Sequence, residues 1–199
     1  HLLATNSSLL AAKVTERSAE TGEHYISHNR SEYLQMVRRA AGGGLLMSVT
    51  TLLKFGLAAL AFSAFWGGFW AGVNYSISFV LIQLLHWTVA TKQPAMTAPA
   101  MAAKLKDMQS SEDATHTLEA FVDEVANLVR TQVAAILGNV LVVFPAALIL
   151  SLLWWQMFGA TPLDAAHAQS TLDSLHVLGP SALFAAYTGV LLFASSLIA

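Results

Sequence analysis

Apolar and polar positions along this chain fall into long blocks rather than short alternations. Between residues 45 and 91 the only formal charge is Lys54. A helix rises about 1.5 Å per residue, so roughly 20 apolar residues are needed to cross the hydrocarbon of a bilayer. The block is long enough for two crossings. The first is expected within 45–70 and the second over 74–90, with 66–74 and its glycines as the turn region. Phe65, Trp66, Phe69 and Trp70 would form an aromatic belt at that end.

A second apolar block, 133–158, has no charge and predicts a third crossing, with Asn139 in its inner half, a kink at Pro145 and Trp154-Trp155 as anchors. A fourth begins near Ser181. Gly159 to Pro180 reads as a loop with Asp164, Asp173, His167 and His176 but no Lys or Arg.

The intervening stretches are polar. Residues 23–39 predict a helix with Thr21 as its N-cap, and Glu20, His24, His28 and Glu32 recur every four positions on one face. Two histidines one turn apart beside carboxylates have the spacing of a divalent-metal site. Ordinary ion pairing on a solvated face accounts for them better, and no metal or cofactor is expected. Arg38-Arg39 then precede Gly42-Gly43-Gly44, a basic flank followed by a flexible entry to the first crossing. Pro94 and Pro99 are expected to break or cap helix. Ser110 with Asp113 resembles a capping box. Ala114, Leu118, Phe121, Val122, Val125 and Leu128 follow at helical period, predicting an amphipathic helix packed on other parts of the protein.

Composition agrees with the block pattern: 11% of residues are charged, against roughly 25% in ordinary globular chains. Such a balance, with a net charge of −2, gives no basic surface for nucleic acid. The absence of cysteine excludes disulfides and thiol chemistry. The chain starts at His1 and stops at Ala199 inside an apolar run, so it is expected to be an internal piece of a longer protein. Residues 1–18 lack the apolar core of a signal peptide.

The fold class expected is therefore all-α: a polytopic helical membrane protein with about four transmembrane helices and amphipathic cytoplasmic helices before and between them. The divisions are a cytoplasmic helical segment (1–43), a transmembrane hairpin (44–91), a cytoplasmic Pro-containing loop and amphipathic helix (92–132), and the third and truncated fourth crossings (133–199). Arg38, Arg39 and the Lys and Arg residues of 92–130 fall on one side, and the loops on the other carry none. The positive-inside rule makes the first side cytoplasmic, in a bacterial inner membrane.

Candidate binding residues follow from depth. Lys54, Gln83, His86 and Asn139 are polar groups expected between the midplane and the cytoplasmic ends of their helices. Thr91, Lys92 and Gln93 adjoin them at a proline-broken helix. Such a cluster suits a path for a small solute, while interhelical hydrogen bonding is the plainer account. No GxSxG, HExxH, Walker A or dinucleotide-binding signature occurs, and no catalytic residue is assigned.

Several strings carry a family resemblance: Gly22-Glu23-His24-Tyr25-Ile26; Glu32-Tyr33, Met36 and Ala40-Ala41-Gly42-Gly43-Gly44; Asn74-Tyr75 with Ser78-Phe79; and above all Ala90-Thr91-Lys92-Gln93-Pro94-Ala95-Met96-Thr97-Ala98. They resemble the bacterial membrane family labelled site-specific recombinase (Gcr-type), over most of the chain. That label implies DNA strand exchange. A tyrosine recombinase sets a tyrosine nucleophile among Arg and His residues. Here no His-x-x-Arg occurs, and Tyr75 and Tyr187 lie in or beside apolar segments. Two readings stand: a protein working in the bilayer, transporter-like or envelope-associated, and a site-specific DNA recombinase. The partners expected are the lipid bilayer, the remainder of the full-length chain and a small solute; nucleic acid is not expected.

Overall fold

In a computed structural model, residues 2–60, 62–110, 114–176 and 178–198 are described, with their side chains apart from those of 2–8, 10, 11, 15, 107–110, 114, 115, 117 and 196–198. Among these residues every regular element is helical. Seven α-helices follow in order: α1 (Leu2–Glu23), α2 (Arg30–Ala59), α3 (Ala64–Leu84), α4 (Gln93–Ser110), α5 (Ala114–Phe158), α6 (Ala165–Ser174) and α7 (Ser181–Ile198), with a 3-10 turn at Ala90–Lys92 before α4. Of the expected capping box, Asp113 and the side chain of Ser110 lie outside what is described, and the Ser110 backbone ends α4.

The chain divides into two compact units. One comprises His1–Met36, Ala90–Ala134 and Ala185–Ala199; the other comprises Val37–Val89 and Ala135–Phe184. In the first unit α1 packs on α4. Gly22 permits that approach, because a Cβ there would collide with the Met96 carbonyl oxygen and lie 3.2 Å from the Ala100 methyl.

Several expected boundaries move. The helix predicted over 23–39 begins at Arg30, and Thr21 is not its cap; the Thr21 hydroxyl donates to the Arg17 carbonyl inside α1. The cap is Asn29, whose Oδ1 accepts from the Glu32 backbone N–H at 2.9 Å. The Glu32 carboxylate in turn accepts from the His28 N–H at 2.8 Å. This reciprocal pairing satisfies donors that the first helical turn leaves open. It also separates His24 from His28, so the four-residue spacing from Glu20 to Glu32 does not make one helix face.

The glycine run 42–44 is not a flexible entry but the middle of α2. The first apolar helix ends at Ala59 and the second begins at Ala64, earlier than expected, so Phe65 to Gly72 belong to α3. Glycine costs a helix only about 1 kcal/mol relative to alanine, less than opening several backbone hydrogen bonds would. Phe65, Trp66, Phe69 and Trp70 form an edge-to-face chain on the first turns of α3, with centroid separations of 5.4, 5.6 and 5.4 Å.

Of the prolines expected to break or cap helix, only Pro99 departs from that reading. Pro94 occupies the first turn of α4, where a missing N–H costs nothing, and Pro99 lies inside the same helix. Likewise α5 joins the amphipathic segment and the third apolar block into one helix of 45 residues that continues through Pro145. No Gly or Pro separates 130 from 133, so nothing in the sequence stops it. The apolar stripe expected to pack inward is only partly covered. Leu118 and Val122 are exposed, and among the described side chains of that stretch Glu124 is the buried one.

After α5, Gly159 adopts φ +68, a left-handed conformation that glycine takes without strain. Residues 161–163 then line a groove with Leu148, Leu152 and Trp155 of α5. The loop expected over 159–180 contains α6, capped by Asp164, which accepts from the His167 N–H at 2.7 Å.

Candidate functional site

Three polar junctions interrupt otherwise apolar packing. The first, in the unit 37–89 and 135–184, is built on the glycines of α2. A Cβ on Gly42 would enter the Trp87 ring, one on Gly43 would strike the Thr88 carbonyl, and one on Gly44 would lie 2.6 Å from the Asn139 carbonyl oxygen. On the facing helix, a Cβ on Gly138 would sit 2.8 Å from that of Ala40 and 2.9 Å from the Val37 carbonyl. Small residues thus bring α2, α5 and the 85–89 segment into backbone contact. Asn139 ties them together: its side-chain NH2 donates to the Ala40 carbonyl and, at 3.3 Å, to the Thr88 carbonyl. The Thr88 N–H donates to the Arg39 carbonyl at 3.1 Å.

The 85–89 segment arises from how α3 ends. The Trp87 N–H reaches the Ile82 carbonyl at 2.9 Å and the His86 N–H reaches Gln83 at 3.1 Å, with His86 at φ 55. This is the Schellman arrangement, in which glycine ordinarily occupies the left-handed position. His86 holds it with an exposed ring. The second apolar helix accordingly stops at Leu84 rather than Ala90.

The second junction joins α2 to α3. The Asn74 amide donates to the Thr50 carbonyl at 2.9 Å, and the Thr50 hydroxyl donates to the Ser78 hydroxyl at 2.7 Å. All three side chains are buried, and each finds a partner. Their hydrogen bonds make them interhelical ties.

The third junction lies in the other unit. Ser27 N–H donates to the Thr131 hydroxyl at 2.9 Å, anchoring the α1–α2 turn on α5. Beside it, buried Glu124 accepts from Lys104 Nζ at 2.7 Å and pairs with His28 Nε2 at 3.0 Å, while Glu23 lies 3.9 Å from the same ammonium. Glu124 precedes the charge-free block of α5. Burial by itself raises its carboxyl, but Lys104 and His28 outweigh burial and hold it below the usual glutamate range. Exposed Glu32 and Asp164 are also held low, first of all by the backbone N–H groups of His28 and His167 respectively.

The sequence-predicted residues divide between these places. Asn139, Gln83 and His86 belong to the same end of one unit: Asn139 bonds to Thr88, two residues beyond His86 and five beyond Gln83. Lys54 does not join them. It is exposed, five residues before α2 ends and 14 beyond Ala40, which is about 21 Å along a helix. Thr91, Lys92 and Gln93 belong to the other unit. Thr91 is exposed, and burial pushes the Lys92 ammonium down. Gln93 is fully buried; its amide donates to the Met36 sulfur at 3.0 Å, and its side-chain oxygen has no hydrogen-bond partner among the described residues.

Sequence reasoning missed Glu124, Lys104 and Thr131, whose partners lie about 100 positions away or in another helix. Asn29-x-x-Glu32 has the spacing of a capping box, a signal that the choice of Thr21 as cap passed over. Nothing local marked Glu124, which sits at helical period among apolar residues and looks like one of several acidic side chains on a wet face.

No curated protein and no solved structure matches this chain. A family model described as site-specific recombinase matches residues 1–199, and the chain belongs to that family.

Proposed function

We propose that this chain works in the bilayer, as a polytopic bacterial inner-membrane protein, transporter-like or envelope-associated. One observation carries the reading: α2, α3 and the 118–158 portion of α5 are long and apolar enough to cross a membrane, yet 28%, 17% and 17% of their most apolar windows are buried by the protein itself. Large side chains such as Phe65, Trp70, Leu84, Phe144 and Leu152 stay exposed. Each would gain roughly 1.5–3 kcal/mol on leaving water, which surrounding lipid supplies. A fourth crossing would use α7, whose described apolar stretch, Ser181–Ser195, is shorter. Residues 1–43 and 92–132 would be cytoplasmic, and a solute path would pass Gln83, His86 and Asn139.

Expression in a bacterium followed by alkaline carbonate extraction tests the membrane reading. The protein should remain in the pellet and leave it only with detergent. Recovery in the carbonate supernatant would overturn the proposal.

The description of the family supports a second reading, a site-specific DNA recombinase. Purified protein in detergent that rejoins duplex DNA, with loss of joining on substitution of a tyrosine or serine, would establish it. Failure to retain DNA even at low salt would reject it.

A further inference from the structure

The unit formed by 37–89 and 135–184 has few charges, and apart from Lys54 near the far end of α2 its cations are two adjacent arginines. Its carboxylates, Asp164 and Asp173, both follow α5, whereas Arg38 and Arg39 stand near the junction where α2 meets Thr88. Arg38 is exposed and Arg39 half-buried, and neither makes an ion pair among the described residues.

Three more groups lie on the segment that is tied to α2 at the turn of these arginines. Thr88 N–H bonds the Arg39 carbonyl, so the 85–89 segment is tied to α2 at that turn. Trp87 covers Gly42, one helical turn beyond Arg38 on the same face. His86, immediately before Trp87, is exposed in a left-handed conformation that glycine would occupy with less strain. A strained backbone kept with a polar ring points to a use for the ring.

From these observations we infer that Arg38, Arg39 and His86 form a binding site for the phosphate headgroup of an anionic phospholipid, with Trp87 seated at the same membrane–water boundary. Two guanidinium forks and an imidazole N–H are the donors that a phosphodiester accepts best. Tryptophan favours the headgroup level, and basic pockets between membrane helices bind anionic headgroups. The occupant is a lipid rather than a free anion because apolar α2 and α3 continue directly from the donors, giving acyl chains a surface to lie along. The inference rests on the bilayer reading proposed above.

The test uses the protein reconstituted in phosphatidylcholine vesicles, with spin-labelled phosphatidylglycerol and spin-labelled phosphatidylcholine as probes. The native chain should hold phosphatidylglycerol in preference to phosphatidylcholine. Since each basic residue near an anionic surface strengthens binding about fivefold, R38Q/R39Q should weaken the preference by roughly 25-fold. R38K/R39K keeps the basic flank that sets orientation but loses the forked donors, and should retain only part of the preference. H86G should unfold at higher temperature in phosphatidylcholine alone, through relief of the left-handed strain, yet bind phosphatidylglycerol less well.

A preference unchanged in R38Q/R39Q, or in both R38K/R39K and H86G, overturns the site. So does equal displacement of the label by soluble glycerol phosphate, which would make it a site for free anions. Carbonate extraction of the same vesicles separates the two proposals: protein that never inserts fails the bilayer reading and takes this one with it, whereas inserted protein without lipid preference fails this one alone.

Discussion

Glu124 shows how a single side chain ties distant parts of a helical chain. Only 5% of it is exposed, and it accepts from Lys104 and His28 on separate segments. A buried carboxylate with two donors is favourable only while both are present. Glu124→Gln keeps the volume but removes the charge and should cost about 1–2 kcal/mol at neutral pH, since hydrogen bonds to charged groups exceed neutral ones by roughly that amount. The pH dependence has a definite sign. The folded-state carboxyl titrates below its ordinary value of 4.5, so its contribution is fully present above that value and is lost as pH falls through the folded one. Thermal unfolding in detergent should show the native chain ahead of E124Q at pH 7, with the gap closing in acid as the pH falls from 4.5 through the lowered folded-state value. A constant gap would mean that the carboxylate's charge contributes nothing.

At the scale of one element, α2 contains glycines of opposite character. Gly44 faces the Asn139 backbone, and a Cβ there would stand 2.6 Å from the carbonyl oxygen and 3.1 Å from the Cα. Backbone cannot rotate aside as a flexible side chain can. Gly44→Ala should therefore force α2 and α5 apart and destabilise by about 1–3 kcal/mol, the usual cost of overpacking. Gly56, twelve residues on, has nothing within 4 Å of its Cβ position. There Gly56→Ala should stabilise by about 0.5–1 kcal/mol, because alanine loses less backbone entropy in a helix. Parallel thermal melts of the two variants in one detergent check the contrast. If both shift the same way, the helix contacts assigned to residues 42–44 are wrong.

Across the whole molecule, the absence of cysteine makes topology directly measurable. Under the proposed topology, single substitutions Lys106→Cys and Gln169→Cys would place thiols on opposite sides of the bilayer, the first cytoplasmic and the second external. In intact spheroplasts an impermeant maleimide should label the second and reach the first only after lysis. Labelling of both before lysis would end the four-crossing arrangement, since residues 106 and 169 would then share a side.

The sequence by itself determined the helical class, the three long apolar helices and the family. These are sums over neighbouring residues: length, hydropathy and the strings around Lys92-Gln93-Pro94 need no knowledge of what lies across the fold. Only the tertiary structure decided that glycines 42–44 are a contact surface rather than a hinge, that Pro99 lies within a helix, that Lys54 stands apart from Asn139, and that Glu124 is buried. The reason is the size of the opposing terms. Glycine's penalty, about 1 kcal/mol, and even proline's, about 3, are local costs that packing and backbone hydrogen bonding elsewhere readily exceed. Asn139 meets Ala40 across 99 positions, and no local pattern specifies which carbonyl a buried amide will find.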